Sequence, residues 1–509
     1  MSLTYKVSID WLNDGDFVDA GDDVTKRVLA RSALTVAFGR DQARALAQTA
    51  VGRASFDLNN ISKDYSPENA SSPLAGNLAP GKPVLIEATL NGTTYTLYRG
   101  YLDDYELHPE NSDRSVTYSC LDSLARLGGV NVTTPLYQGI TTGQAIGYIL
   151  DGIGWSATLR DIDAGATVIA NYWLDNVDAF TAVADIVASE GPSSFITIGA
   201  DGSFIFRDRT HRLRLAASTT SQATWRDSGT EPCYSAPFPI DHGWRDIINS
   251  VTFPVDVRIA EGDLSTVWTS DIPINLEDGD TVPITVQASE PFLAAVVPVQ
   301  DTDYTLDYGV VSMALSRTSG ASTTIFVSAS GGPAQVAGLS LRAYALPVVT
   351  TKQVSAVEST STTAYGTRSW PNSAPWAGAN DALAIAQLIL VQRAQRLPIV
   401  QVRFTSANDS RRTQMFVRDL SDRVTIVNAG LGLTSDFYIE QIQHTVTEAG
   451  KFQESVFGCE AVPMPNAATV FILNTSVLNT GTLGTEGADD PATVFILDSD
   501  LLNTGRLGH

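Results

Sequence analysis

Asn91 and Gly92 stand between two short runs of alternating residues, Val84 to Thr89 and Thr93 to Tyr98. Both central residues of a type I′ turn need positive φ, so this dipeptide predicts a tight antiparallel hairpin. Upstream, Arg53 to Leu58 places Ala54, Phe56 and Leu58 on one side at a period of two, which reads as a strand. Asn59 to Pro83, rich in Asn, Ser, Pro and Gly, reads as a long polar excursion, and Tyr101 to Glu106 as a third extended run. Gly52 to Tyr105 therefore predicts an antiparallel meander around which the rest of the chain is organised.

At 509 residues the chain is too long for one core, and three or four domains are expected. Gly and Pro are scattered throughout and the apolar runs are short, so the expected class is mainly β with some α, in several domains. No apolar run reaches membrane-spanning length, and Met1-Ser2-Leu3-Thr4 lacks a secretory pattern, so a soluble chain made in a cytosol is expected. Cys120, Cys233 and Cys459 lie far apart with no C-x-x-C spacing; buried free thiols are expected. A formal charge of −23 weighs against a nucleic-acid-binding surface, which needs clustered Lys and Arg.

Taken in order, Tyr5 to Trp11 alternates as a strand, and Asp14 to Asp23 is an acidic loop. Asp14, Asp16, Asp19 and Asp22 lack the D-x-D-x-D-G order of a calcium loop, so a solvated turn is expected and no metal site. Val28 to Phe38 reads as extended, Asp41 to Ala50 as a short helix, and Ser115 to Cys120 as a strand; residues 1–125 then make one barrel.

Residues 126–210 read as a small α+β domain. Thr141 or Thr142 caps a first helix, Ala179 to Ser189 forms a second, and Phe195 to Ile198 pairs with Ser203 to Arg207 across Asp201-Gly202. Residues 211–255 carry short strands; His211 and His242 have no acidic or Cys neighbour at ligand spacing. Residues 256–349 read as an inserted β-sandwich of immunoglobulin-like kind, with strands at 282–286, 304–308, 310–316, 323–329 and 340–345. In 350–460, Ser355 to Ser369 reads as extended. Asn380 or Asp381 caps a helix to Arg396 with Leu383, Leu390, Val391 and Ala394 inward, and strands follow at 400–404, 423–427, 437–444 and 454–461.

Within about fifty residues the chain strings together Asn60, Tyr65-Ser66-Pro67-Glu68-Asn69, Ser72-Pro73-Leu74, Pro80-Gly81-Lys82-Pro83-Val84 and Arg99-Gly100-Tyr101-Leu102. Later come Tyr365-Gly366, Arg368, Asp381 to Ala384, Leu420 to Ile426 and Asp436 to His444. This order resembles the minor tail and tail-hub proteins of long-tailed bacteriophages, which are similar to contractile-phage baseplate hubs. The resemblance covers about residues 1–255 and 350–460. It implies hub β-barrels at 1–125 and at 211–255 with 350–460, and a non-enzymatic trimer at the virion tail tip that joins the tube to the tip complex. Implied partners are further copies of the chain, the distal tail ring, the tape measure and tip proteins, with DNA only passing through the lumen. The family-motif positions are Asn60, Tyr65, Pro67, Asn69, Pro73, Gly81, Pro83, Gly100, Tyr365 and Gly366.

The C-terminal tail, residues 461–509, holds an internal repeat. Residues 468–484 match 492–508 with twelve identities in seventeen. Each copy carries a β-prone apolar run, Val470-Phe471-Ile472-Leu473 with Leu478, and Val494-Phe495-Ile496-Leu497 with Leu502. Such runs aggregate when exposed, so both copies are expected to dock, most simply on a neighbour, the alternative being this chain's own hub.

No G-x-S-x-G elbow, H-E-x-x-H, P-loop or post-strand G-x-G-x-x-G occurs, and no cofactor is expected. The alternative reading is a tail protein that binds a receptor or a host-surface saccharide through the inserted sandwich. A cell-wall hydrolase is the third.

Overall fold

The computed structural model describes residues 3–40, 49–110, 113–450 and 452–463. The protein is mainly β with some α. Six strands come first: β1 (Leu3–Ile9), β2 (Leu34–Arg40), β3 (Thr49–Asn59), β4 (Pro83–Leu90), β5 (Thr93–His108) and β6 (Ser115–Leu121). They lie in the order β1-β4-β5-β6-β3-β2, antiparallel throughout.

The sheet continues past β2. That strand pairs with Leu433–Thr447, from Leu34↔Val446 to Gly39↔Gln441. Phe452–Ala461, Ile399–Thr405 and the two-residue strand Ile240–Asp241 follow, within a sheet of twelve strands. Both ends of the described chain thus share one sheet.

Alternation buries one face of it. Val7, Ile9, Phe56, Leu58, Ile86 and Tyr118 pack a first core around Trp11 and Tyr65. Val402, Phe404, Ile426, Phe437 and Phe457 pack a second around Trp225. Each such side chain contributes roughly 1.5–3 kcal/mol on burial, so these faces fix the strand register.

The hairpin forms as the sequence demands: Leu90 pairs with Thr93, and Asn91 and Gly92 have φ of 53° and 89°. Tyr101 to Glu106 is not a separate strand but the second half of the 16-residue β5. A bulge between Leu102 and Asp104 absorbs the change of phase, and the third strand of the meander is β6. Extended structure between Val28 and Phe38 begins only at Leu34; before it Val28 makes a single bridge to Leu58. Of the helix expected over Asp41 to Ala50, residues 41–48 lie outside the described residues, while Thr49 and Ala50 open β3.

A third core spans residues 124–206. Helix α1 (Thr142–Gly152) begins in a capping box: the Gln144 amide donates to the Thr141 hydroxyl, and the Gln144 side chain accepts from the Thr141 amide. Helix α2 (Ala179–Glu190) is capped by Asp178, and Phe195–Ile198 pairs with Phe204–Arg207. The strand pair Asn131–Thr141 with Val168–Asp178 escapes periodicity because its register slips twice.

Ser250–Arg258 and Val348–Val357 form a two-stranded antiparallel ribbon. Between them lie nine strands in three three-stranded sheets, sharing a core of Leu276, Val286, Ile325, Val327, Val336 and Leu341. This block is fastened back to the body. The Gly320 backbone lies so close to Trp173 that a Cβ there would sit 2.4 Å from the side chain, and the Gln287 amide donates to Asp175.

Two expectations fail after the ribbon. Ser359–Tyr365 is a helix, because the Glu358 carboxylate accepts from the Thr360 and Ser361 amides at its start. The next helix, Ala379–Arg393, is capped by Gly378 and not by Asn380 or Asp381. Asp381 instead accepts from Arg209 and the Val168 amide. Its inward residues include Ala382, Ile385, Ala386 and Ile389, while Leu383 and Val391 are exposed. The Ala-rich sequence offers several apolar stripes, and the one with Ile385, Ile389 and Leu390 packs on the ribbon.

Candidate functional site

The first group of motif residues shapes the polar excursion between β3 and β4. Asn60 accepts from the Tyr65 amide at 3.0 Å and donates to Ser66. That bond turns the Tyr65 ring inward onto Trp11 and Tyr118. Asn69 donates to the Lys63 carbonyl and accepts from Ser71, while Pro67 and Pro73 lie exposed on the turns. Gly81, at φ 84°, donates to the Leu102 carbonyl, and the Pro83 carbonyl accepts from Asp10. Gly100 is required by space: a Cβ would lie 2.5 Å from the Leu121 carbonyl. These residues fold a loop.

The second group lies elsewhere. Gly366, at φ 73°, ends the helix Ser359–Tyr365, and its carbonyl accepts from the buried Asn249. The Tyr365 ring meets Trp244 edge-on at 5.9 Å. The structure therefore brings Tyr365 and Gly366 together with Asn249 and Trp244, and not with the first group. The repeat residues Val470 to Leu473, Leu478, Val494 to Leu497 and Leu502 lie outside the described residues.

Asp14, Asp16 and Asp19 do converge, with ligand atoms within 4.8 Å of one another. Lost hydration, then Asp14 and Asp16, hold the Asp19 carboxyl above its ordinary value. Asp22 turns inward and accepts from the Trp11 and Asp19 amides. His211 is buried, its ring nitrogens bonded to the Asp208 carbonyl and to Ser421. All three cysteines are buried free thiols.

Where the cores meet, the chain buries charge. Arg212 pairs with Glu440 at 2.6 Å, and Arg40 lies 3.5 Å from the same carboxylate while donating to the Ser194 carbonyl. Burial brings the Arg40 pKa down to about 10 in spite of Glu440. Arg393 forms a two-pronged pair with Glu460 at 2.6 and 2.7 Å. Sequence reasoning missed this junction. The available signal was two carboxylates, Glu440 and Glu460, set among apolar residues of strands.

His444 is buried against Phe38 with Nδ1 2.7 Å from the Ser455 hydroxyl, and burial depresses its pKa to about 4. The unfolded chain takes up that proton near pH 6.5, so its contribution to stability is complete above 6.5 and is lost as pH falls toward 4. His444→Gln should reduce the stability lost between pH 7.5 and pH 5 by about 2 kcal/mol. Urea unfolding of both proteins at the two pH values measures the difference.

The outward face of the shared sheet is regular. Tyr101, Leu121, Arg53, Ala37, Gln443, Val456 and Arg403 stand side by side across seven strands. Two residues along come Ser119, Ser55, Thr35, Thr445, Glu454 and Thr405. At a strand spacing of about 4.8 Å the face is about 29 Å wide. A groove of about 570 Å³ runs over Thr35, Ala37, Arg53, Ser55, Asp103 and Ser119. Hydroxyls, amides and small side chains dominate it, and the Arg403 charge is answered by Glu454 at 3.2 Å.

No family model and no curated protein matches the chain. Among solved structures it is similar in fold to a tail protein from Neisseria meningitidis MC58, at 10% identity and TM-score 0.46, covering 90% of this chain and 96% of that one. A 43 kDa tail protein of prophage MuSo2 from Shewanella oneidensis aligns at 10% identity and TM-score 0.47, over 90% and 98%. The prophage tail protein gp18 from Listeria monocytogenes EGD-e aligns at 9% identity and TM-score 0.41, over 89% and 94%.

Proposed function

We propose that this chain is a structural component of a bacteriophage tail, a hub at the tail tip whose copies close into a trimeric ring between tube and tip complex. The observation that carries the reading is the single sheet formed by the two ends of the described chain. Main-chain pairing between β2 and Leu433–Thr447 joins them rigidly, and the outward face beside that joint is rich in hydroxyl and small side chains, its Arg403 answered by Glu454. A wall of this kind neither collapses onto a neighbour nor holds DNA by its phosphates. The order of the motif residues, which pin loops rather than present reactive groups, supports the same role. Separate apolar cores support a division into a first barrel, a small α+β domain, a second barrel region and an inserted block on its ribbon.

Light scattering over a concentration series tests the ring. A solution mass of about three times 54.3 kDa is expected. A monomer at every concentration overturns it.

A further inference from the structure

Trp244 is 47% exposed, unusual for so large an apolar side chain. The Arg396 guanidinium lies 4.8 Å over its ring, Tyr365 meets it edge-on, and Arg368 donates to its carbonyl. Arg245, Arg368 and Arg396 are all exposed, and none has a carboxylate partner among the described residues. In a chain of net charge −23, Arg368 and Arg396 at one exposed indole, neither paired with a carboxylate among the described residues, form a cationic, aromatic platform. Trp, Tyr and Arg are also the residues that dominate binding energy at interfaces.

The platform stands where the described chain ends. Gly243 packs against the Leu397 carbonyl so closely that a Cβ would lie 2.2 Å from it. The next carbonyl, that of Pro398, accepts from the Ala461 amide at 2.9 Å, and Val462 donates to Asp436. Residues 464–509 follow from this point.

The two repeats in that segment differ in charge. Residues 468–484 contain no charged side chain, whereas Asn474 and Ser476 are replaced in the second copy by Asp498 and Asp500. With Glu486, Asp489 and Asp490 ahead of it, residues 485–509 hold five carboxylates against one arginine. We propose that the second repeat docks on the Trp244 platform of its own chain, its apolar run Val494 to Leu497 against the indole and Asp498 and Asp500 toward the arginines. Apolar contact and charge complementarity then act together, and the uncharged first copy is left for a different neighbour. An extended chain gains about 3.3 Å per residue, so the 31 steps from Pro463 to Val494 can reach about 100 Å.

Hydrogen exchange on the full chain tests this. Amides of 494–502 should be protected, at least tenfold more slowly exchanging than in Trp244→Ala, in Arg396→Glu or in the double variant Asp498→Arg/Asp500→Arg. Combining Arg396→Glu with Asp498→Arg should restore part of the protection, a rescue that separates lost docking from lost folding. Residues 243–246 should lose protection in the double Asp variant. Free exchange of 494–502 in the unaltered protein overturns the proposal. So does protection of 243–246 that survives the double variant, which assigns the platform to another occupant, and so does protection that fades on dilution, which assigns it to a second copy.

Discussion

Arg393→Met is expected to destabilise the protein by about 3–5 kcal/mol, and adding Glu460→Leu to return most of that loss. Both side chains are 3% exposed, and the two oxygens of Glu460 accept from the two terminal nitrogens of Arg393. Burial alone lowers the Arg393 pKa, but the Glu460 charge more than offsets it and the net shift is upward. Arg393 is therefore held charged at neutral pH. Removing the cation strips the buried Glu460 carboxylate of its two-pronged partner. Replacing both partners removes the desolvation penalty along with the attraction, so the double variant should unfold close to the parent. Urea midpoints of the parent, both single variants and the double variant give the coupling energy directly. Single losses below about 1 kcal/mol would mean that water reaches the pair, contrary to its burial.

The contrast between this junction and the meander explains what the sequence could reveal. Arg53 to Leu58, the Asn91-Gly92 turn and the α1 cap are decided by residues a few positions apart, and local patterns report them. Five strands of the inserted block were legible for the same reason, since each alternates along its own length. Pairing of β2 with Leu433–Thr447 joins residues about four hundred positions apart. Either strand could satisfy its alternation beside any apolar face, so periodicity is silent on the choice. The same limit hid the inward face of Ala379–Arg393: Leu383 and Val391 are as apolar as Ile385 and Ile389, but the ribbon packs on the stripe of Ala382, Ile385, Ala386, Ile389 and Leu390. Motif order marked Tyr365 and Gly366, yet only the fold shows that they stand beside Trp244 and Asn249. The platform itself was invisible, because Trp244, Arg368 and Arg396 come from three separated segments.

Asn249→Leu should cost about 1–3 kcal/mol and dismantle the platform at the same time. Asn249 is fully buried. Its carbonyl oxygen accepts from the Arg368 amide at 2.7 Å, and its amide donates to the Gly366 carbonyl at 2.8 Å and to the Ser361 hydroxyl at 3.2 Å. Its own backbone donates to the Arg368 carbonyl and accepts from Glu358. One side chain thus holds the end of the helix Ser359–Tyr365 and the turn after it. Leucine has similar volume but satisfies none of these groups, and the buried Ser361 hydroxyl left unpaired costs about 1–3 kcal/mol. The turn can recover solvent only by moving away from Ile248 and Ser250, which carries Tyr365 and Arg368 off Trp244. A lower unfolding midpoint should therefore appear together with faster exchange of residues 358–368. Loss of stability with unchanged exchange there would place the damage in the core beneath Asn249 and not in the turn. Asn249→Asp distinguishes the two bonds: it keeps the acceptor for Arg368 but loses both donations, and should retain part of the protection.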